Sequence, residues 1–533
     1  MEDTRPKDEV AGEAELQALG YDQELRRSFS LIGMIGFSFS IVTCWSALAG
    51  TMTVGITSGG PPVMVWSWII ISVCAMAVAA AFAEYCAQWP VAGGQYSWVA
   101  ALAPKSLSRG MAWVTGWFML IGLVAMGAVN NFIGANFVLG LANLVNPDYV
   151  IERWHTATVT YLIMLVFGVS NIFTPRLLNG VSTFLLAWNI LSFLTVTITM
   201  VTTTKEYQPV SFVFTDFQNG TGLSPALGVI AGLLQSFFGM CCYDAPAHMI
   251  EEARHPKRDA PIAILTGVLL GALTGFCFLV ASFFCIGDIE SVAATATGVP
   301  LIQILFDSTG SVAGTCVLSS MIIVIVLFSA NSLMAETSRS IYAFARDHAL
   351  PFSKVLSVVN PRFEVPVAAI LTTMVGQAAL NSIYIGSYTG FNTVISISTQ
   401  GFYISYAMPL VARLISELGY GKQPPKHPKY NLGRWGVLVN IVGATFLIIG
   451  AVSFSFPSEG PVTGDNMNYS SAAVGGIMLI SLITWIVDGR KNFRMPDLTH
   501  CIDGIDVGGE GHETSDVSES GIEKHSEVPE KAT

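Results

Sequence analysis

Charged residues are scarce in this 533-residue chain: Asp, Glu, Lys and Arg make up 12% of it, against 52% hydrophobic residues. Soluble domains carry about 25% charge, so the deficit excludes an ordinary water-facing surface and points to a polytopic membrane protein. The charges present are also badly placed for recognising a charged partner. Residues 1–28 hold eight acids and four basic groups, residues 501–533 nine acids and two, and residues 29–500 twenty of each sign. The net charge of −11 thus belongs to two solvated tails, and no nucleic-acid partner is expected. Paired cysteines are missing too. None of the nine falls in a CxxC spacing and all but Cys501 lie in or beside apolar runs, which excludes a zinc ribbon or disulfide framework and leaves small core residues. No basic, apolar leader opens the chain, so the first apolar run is expected to act as its own insertion signal.

Long apolar runs are what the sequence has in abundance. A helix needs about 20 residues to cross the hydrocarbon core, and twelve runs qualify, near 30–56, 62–88, 110–143, 156–174, 180–203, 225–250, 261–286, 312–345, 365–384, 388–415, 434–455 and 470–489. Lipid offers the backbone no hydrogen-bond partner, so each is expected to be a helix. With the N-terminus inside, nineteen Lys and Arg residues fall in inside segments and two, Arg153 and Lys205, outside. That asymmetry places both tails in the cytosol. Three regions follow: an N-terminal tail over 1–28, a twelve-helix domain over 29–490, and an acidic, disordered tail over 491–533 whose Lys524 and Lys531 are open to modification. The sequons at Asn219 and Asn468 land in outside loops.

Two runs carry groups that lipid penalises. The first holds Thr43-Cys44-Trp45-Ser46-Ala47-Leu48-Ala49-Gly50, then Gly55 and Ser58-Gly59-Gly60-Pro61; the sixth holds Gly239 and Asp244-Ala245-Pro246. Each opens a group of five helices. Interruptions at corresponding places in two halves point to an inverted-repeat transporter with its substrate at the midplane, where unwound turns free backbone groups and half-helix ends add partial charge. Gly239 is expected to supply the unusual backbone angles and Pro246 to start the second half-helix. Asp244 is the only acid before the cytosolic end of its run; it either contacts substrate, caps a half-helix or serves a gate. His248 reads as structural or as a proton handler. Trp45, Phe237, Phe238 and Tyr243 flank the breaks, where they either pack or line a pocket for an organic cation.

Several motifs then resemble one family. Ala83-Glu84 with Pro90 and Ala92-Gly93-Gly94-Gln95-Tyr96-Ser97-Trp98, Glu251-Glu252 with Pro256, Arg258 and Pro261, and Phe344-Ala345-Arg346-Asp347-His348-Ala349-Leu350-Pro351 are similar to the amino acid, polyamine and organocation permeases. Ser58-Gly59-Gly60-Pro61, Arg153-Trp154-His155 and Phe454-Ser455-Phe456-Pro457 with Met467-Asn468-Tyr469 resemble their fungal branch of GABA, choline and small-amine transporters. The resemblance covers about residues 28–490. It implies an all-α fold of twelve helices, with inverted repeats of five over about 30–203 and 225–415 and two peripheral helices over about 434–489. It also implies import across the plasma membrane by alternating access, without a cofactor or metal, commonly coupled to protons. The substrate would contact Thr43, Cys44, Trp45, Ser46 and Ala47 and the stretch from Phe238 and Gly239 to Tyr243 and Asp244. Asn130, Asn131, Ser329 and Asn331 would complete the pocket, with GABA and choline the leading candidates.

Glu84, Glu251, Glu252, Arg258, Arg346 and Asp347 lie at the expected inside ends of helices, where ion pairs would hold an inner gate shut in one state. The basic members are equally accounted for as positive-inside residues. Glu336 and Arg339, three apart, are expected to pair with each other or with the gate. One departure matters: several proton-coupled relatives of this family carry a lysine in the fifth helix, and residues 180–203 hold no lysine or arginine. A proton would have Asp244, His248 or Glu84 available, and a sodium ion the first-helix carbonyls with Ser329 or Ser332. Rival readings are a passive channel, an exporter of a specialised metabolite, a permease-like sensor and a membrane enzyme. For the last, His255-Pro-Lys-Arg-Asp259 is one residue short of an HxxxxD acid–base pair.

Overall fold

The chain is described by a computed structural model covering residues 12–13, 16–42, 44–421, 429–464 and 466–494. Thr43, Cys501, Lys524, Lys531 and most of the C-terminal tail lie outside the described residues. In chain order the principal helices are α1 (Leu31–Val42), α2 (Cys44–Thr57), α3 (Gly60–Gln88), α4 (Gln95–Leu102), α5 (Lys105–Val145), α6 (Arg153–Phe173), α7 (Leu178–Thr203), α8 (Pro225–Gly239), α9 (Ala245–His248), α10 (Pro256–Cys285), α11 (Val312–Arg346), α12 (Val367–Gly386), α13 (Tyr388–Leu414), α14 (Gly436–Ser453) and α15 (Ser470–Thr484). Ten of the described helical segments are long and apolar enough to cross a membrane. The 15-residue α8 is apolar but shorter.

These helices reverse the soluble pattern. Trp66, Ile70 and Val73 of α3, Leu162 and Val166 of α6, and Leu479, Ile480 and Ile483 of α15 face outward and are exposed, while Ser, Thr, Asn, Gln and Glu side chains are buried within. Lipid accepts the first set and only partners inside the protein can satisfy the second. Small residues then set the helix spacing. Gly122 of α5 and Gly401 of α13 meet backbone to backbone, so a Cβ at either would run into main-chain atoms of the other helix. Gly267, Gly271 and Gly275 line one side of α10 and take Ser38, Cys44 and Trp68 against their bare Cα atoms.

Both described ends of the chain reach the same face. Tyr21 donates to the Asp347 carboxylate, and the Arg494 amide donates to the Asp347 carbonyl at 3.2 Å. Ser28 and Phe29 amides share the Glu252 carbonyl, each at 2.9 Å, and Arg254 N–H returns to Phe29, so the N-terminal segment is laced onto the end of the sixth run. On the opposite face Ser58–Gly59 forms a two-residue antiparallel ladder with Gln218–Asn219. Gly59 and Gly60 there have φ of 98° and 72°, angles only glycine adopts freely, which is why this turn holds two. Beside it opens a cavity of about 830 Å³, lined in part by Thr57, Tyr207, Asn219 and Asp288.

Candidate functional site

The sixth run is interrupted as its composition predicts, though by a different residue. α8 ends at Gly239, residues 241–244 leave the helix, and Pro246 lies in the first turn of α9. Gly239 is the last helical residue, not the bent one; a Cβ there would press on Trp68 and Leu48, so its role is close packing. The left-handed angle falls on Cys242, with φ 62°. A non-glycine residue held there costs about 1–3 kcal/mol and persists only when its surroundings enforce it. In the first run α2 continues through Gly50 and Gly55, and Thr43, between α1 and α2, is outside the described residues.

The interruption delivers Asp244 to the middle of a polar cluster. Its Oδ2 accepts from the Gln95 side-chain amide and faces His248 Nε2 at 3.0 Å, while its Oδ1 accepts from the Tyr406 hydroxyl. Asp244, His248, Gln95 and Tyr406 are all fully buried. Their positioning follows from the Ala92-Gly93-Gly94-Gln95 motif. Gly94, at φ 57°, has no Cβ and so lets His248 lie against it, which brings the Ala92 carbonyl to 3.0 Å from His248 Nδ1 and puts Gln95 at the start of α4. Glu336 of α11 approaches the same group: ligand atoms of Asp244, His248 and Glu336 lie within 4.8 Å of one another. Both Glu336 carboxyl oxygens and the Tyr243 hydroxyl are buried without a hydrogen-bond partner.

The face reached by the chain ends is tied by ion pairs. Glu251 takes both guanidinium nitrogens of Arg346, at 2.9 and 3.0 Å, and the Ala92 amide at 3.0 Å. Burial pushes the Glu251 carboxyl up, but Arg346 and the Ala92 N–H outweigh it and hold it below its ordinary value. Glu252 pairs with Arg339 at 2.8 Å, and Glu84 with Arg413. Arg346 also lies over the Tyr21 ring, 4.1 Å from its centroid. Of the two pairings expected for Glu336 and Arg339, Arg339 takes the one with the gate, through Glu252, and Glu336 is left facing Asp244. Arg258 stands apart: it is half exposed and bonds only its neighbour Asp259 among the pairs formed at this face, at 2.9 Å.

The remaining sequence-derived positions divide. Tyr243 packs at a tilt against Tyr406, centroids 5.0 Å apart, beside the cluster. Trp45 turns the other way, donating to Asn189 of α7 at 2.7 Å and packing on Phe193 and Phe278. Phe237 packs on Tyr403 and Phe446, and Phe238 is buried. Cys44 and Ser46 are buried and Ala47 partly so. Asn131 donates to Gln377 at 3.0 Å, and Asn130 to the Val326 carbonyl at 3.0 Å, so both serve helix contacts. The described cysteines are free and mostly buried, with Cys277 exposed on the outer surface. Gln95, Tyr406 and Arg413 were not singled out for a role by sequence reasoning. The GGQ motif was the available signal for Gln95; nothing in α13 marked the other two.

Comparison with known proteins fits this arrangement. The sequence profile of a family described as amino acid permease matches residues 29–482. The chain is 58% identical to a protein of Macrophomina phaseolina provisionally described as an amino acid/polyamine transporter, over 83% of this chain and 97% of that one. It is 31% identical to the choline transporter of Saccharomyces cerevisiae, over 92% of this chain and 87% of that one, and 31% identical to an amino-acid permease of Oryza sativa subsp. japonica, over 91% and 95%. Among solved structures, the manganese transporter of Eremococcus coleocola superposes with a TM-score of 0.54 at 13% identity, covering 86% of this chain and 95% of that one, a likeness of fold alone. An apolar helical bundle with a polar break at its centre, matched over most of its length by this profile, belongs to the amino acid permease family and is an integral-membrane secondary transporter.

Proposed function

We propose that this protein imports a small amino acid or amine across the plasma membrane by alternating access coupled to protons, with GABA and choline the leading substrates. In this reading the twelve apolar runs all span, helices over 30–203 and 225–415 form inverted repeats of five, and the face carrying the chain ends is cytosolic. The single observation that carries it is the interrupted sixth run, which holds Asp244 among Gln95, His248 and Tyr406 inside the bundle. The break, flanked by the unpartnered Tyr243 hydroxyl and by aromatic rings, suits a substrate bearing a cationic nitrogen. Relatives named for amino acids and for choline support the same substrate class. The carboxylate of an amino acid would use the half-helix end at the break.

Uptake of labelled GABA, choline and putrescine by permease-deficient yeast tests this, with and without sodium and a protonophore. Saturable accumulation of one compound, abolished by the protonophore and indifferent to sodium, is expected. Asp244→Asn should lower that uptake roughly tenfold or more, the usual scale for losing a charged hydrogen-bond partner, at unchanged surface abundance. Equilibration without accumulation would replace the reading with a passive channel.

A further inference from the structure

Asp244, His248 and Glu252 are spaced four apart in the sequence, and Glu336 and Arg339 three apart on α11. Folding sets the two series against each other: Glu252 meets Arg339 at 2.8 Å, and one turn further into the bundle Glu336 meets the Asp244–His248 pair. The protons in this cluster can be counted from the contacts. The Ala92 carbonyl, 3.0 Å from His248 Nδ1, can only accept, so Nδ1 carries a hydrogen. Nε2 then faces Asp244 Oδ2 at 3.0 Å, a contact that requires one proton between the two atoms. Asp244 and His248 therefore hold one proton together and are neutral as a pair, and the Gln95 and Tyr406 donors fix the carboxylate in place. Glu336 has no such support. Both its oxygens are fully buried and unpartnered, an arrangement a neutral carboxyl tolerates and an ionised one does not.

We propose that Glu336 is the group that takes up and releases the coupling proton, while the Asp244–His248 pair retains its own. The proposal rests on the proton-coupled transport reading above. Release breaks the Glu336 O–H bond and delivers the proton to water on the face of the chain ends; uptake from the other side re-forms it. The Glu252–Arg339 pair stands one turn along that exit, so the same link that ties the face shut also bars the proton's path. Few other titratable groups surround Glu336. The broken run presents Asp244, His248, Cys241 and Cys242, and α13 presents Tyr406 through Asp244. Of the other elements packed on α11, α1 and α7 contain no titratable side chain, α2 carries Cys44, α5 Lys105 and Arg109 at its far first turns, α6 Arg153, His155 and Tyr161, α12 Tyr384, and the short helices Pro300–Thr309 and Ser353–Leu356 Asp307 and Lys354. The same three ligand atoms would suit a metal ion by distance, but Asp244 already spends both oxygens on hydrogen-bond donors, which favours a proton.

The test uses the full-length chain purified and reconstituted in liposomes. Infrared difference spectra between acid and alkaline buffer should contain a protonated-carboxyl band that Asp347→Asn leaves in place and Glu336→Gln removes. Glu336→Gln should still exchange labelled GABA or choline across equal pools, yet lose accumulation driven by a pH gradient; Glu336→Asp should retain part of it. Persistence of the titrating band in the Glu336→Gln, Asp347→Asn double variant overturns the proposal. So does gradient-driven accumulation by Glu336→Gln at the wild-type level, or loss of the wild-type band on adding Mn²⁺ at constant pH, which would mark a metal site. If the wild type carries neither compound, the substrate assignment fails, and the infrared result still decides the role of Glu336.

Discussion

Asp347, the first residue beyond α11, joins three parts of the chain. Its carboxyl accepts from Tyr21 at 3.0 Å and from Tyr96 at 2.9 Å, and its backbone carbonyl receives the Arg494 amide. Burial is the largest influence on its ionisation and pushes it up; Arg346 and the two tyrosines pull it back only in part, and it settles at about 7 against an ordinary 3.8. An acid with a raised value binds its proton more tightly in the closed arrangement than when released. The stability it lends is complete below the ordinary value and is lost as pH rises through about 7. Docking of the N-terminal segment should therefore loosen progressively from about pH 4 to about pH 7 and change little above that. A Leu25→Cys variant reports this, since Leu25 is 2% exposed in the docked segment while Val358, at 55%, gives a freely reacting reference when also changed to cysteine. The ratio of their maleimide labelling rates should rise with pH, and Asp347→Asn should flatten it. A flat ratio in the parent protein would show that Asp347 does not control docking.

At the scale of elements, ten of the twelve runs found by hydropathy are helices long and apolar enough to cross a membrane among the described residues, because lipid imposes one rule on every residue of a run. The run near 225–250 was read correctly as interrupted, since Asp244 and Pro246 are costly there whatever surrounds them. What periodicity and composition did not carry was pairing across long separations. Asp244 meets Tyr406 and Gln95, and Glu84 meets Arg413, through helices distant in sequence, and for Glu336 the sequence offered Arg339 or the gate but not the Asp244–His248 pair that it faces. Glycine was ambiguous for a related reason, as the residue serves both bending and close approach. Gly239 does the second, and so does Gly401, whose Cα abuts the α5 backbone at Gly122. Backbone cannot swing aside as a side chain can, so Gly401→Val should destabilise the α5–α13 crossing by about 1–3 kcal/mol or more. Gly110→Val on α5, where nothing lies within 4 Å of the added atom, is the matched control. Thermal unfolding in detergent should give a lowered midpoint for the first and an unchanged one for the second; equal midpoints would refute the close crossing.

Across the whole molecule the two faces are unequal. One is bound by Glu84–Arg413, Glu251–Arg346 and Glu252–Arg339 and covered by the N-terminal segment; the other opens into the cavity beside Thr57 and Asn219. For a transporter that alternates, links that break as a set must be individually strong yet offset by hydration once the face opens. Buried pairs have that property: they add little net stability while both partners remain, but removing one strands a charge at a cost of about 3–5 kcal/mol. Arg346→Glu should accordingly favour opening of this face. Cys241 and Cys242, buried at the break, report on it directly through a membrane-impermeant thiol reagent applied to inside-out vesicles. Their labelling should be faster in Arg346→Glu than in the parent protein. The swapped pair Glu251→Arg with Arg346→Glu should slow it only partly, because an arginine at 251 cannot accept the hydrogen bond that the Ala92 amide now gives to Glu251. Labelling unchanged by the single reversal would mean that the Glu251–Arg346 pair holds the fold and not the gate, and full recovery in the swap would remove the Ala92 contact from the closure.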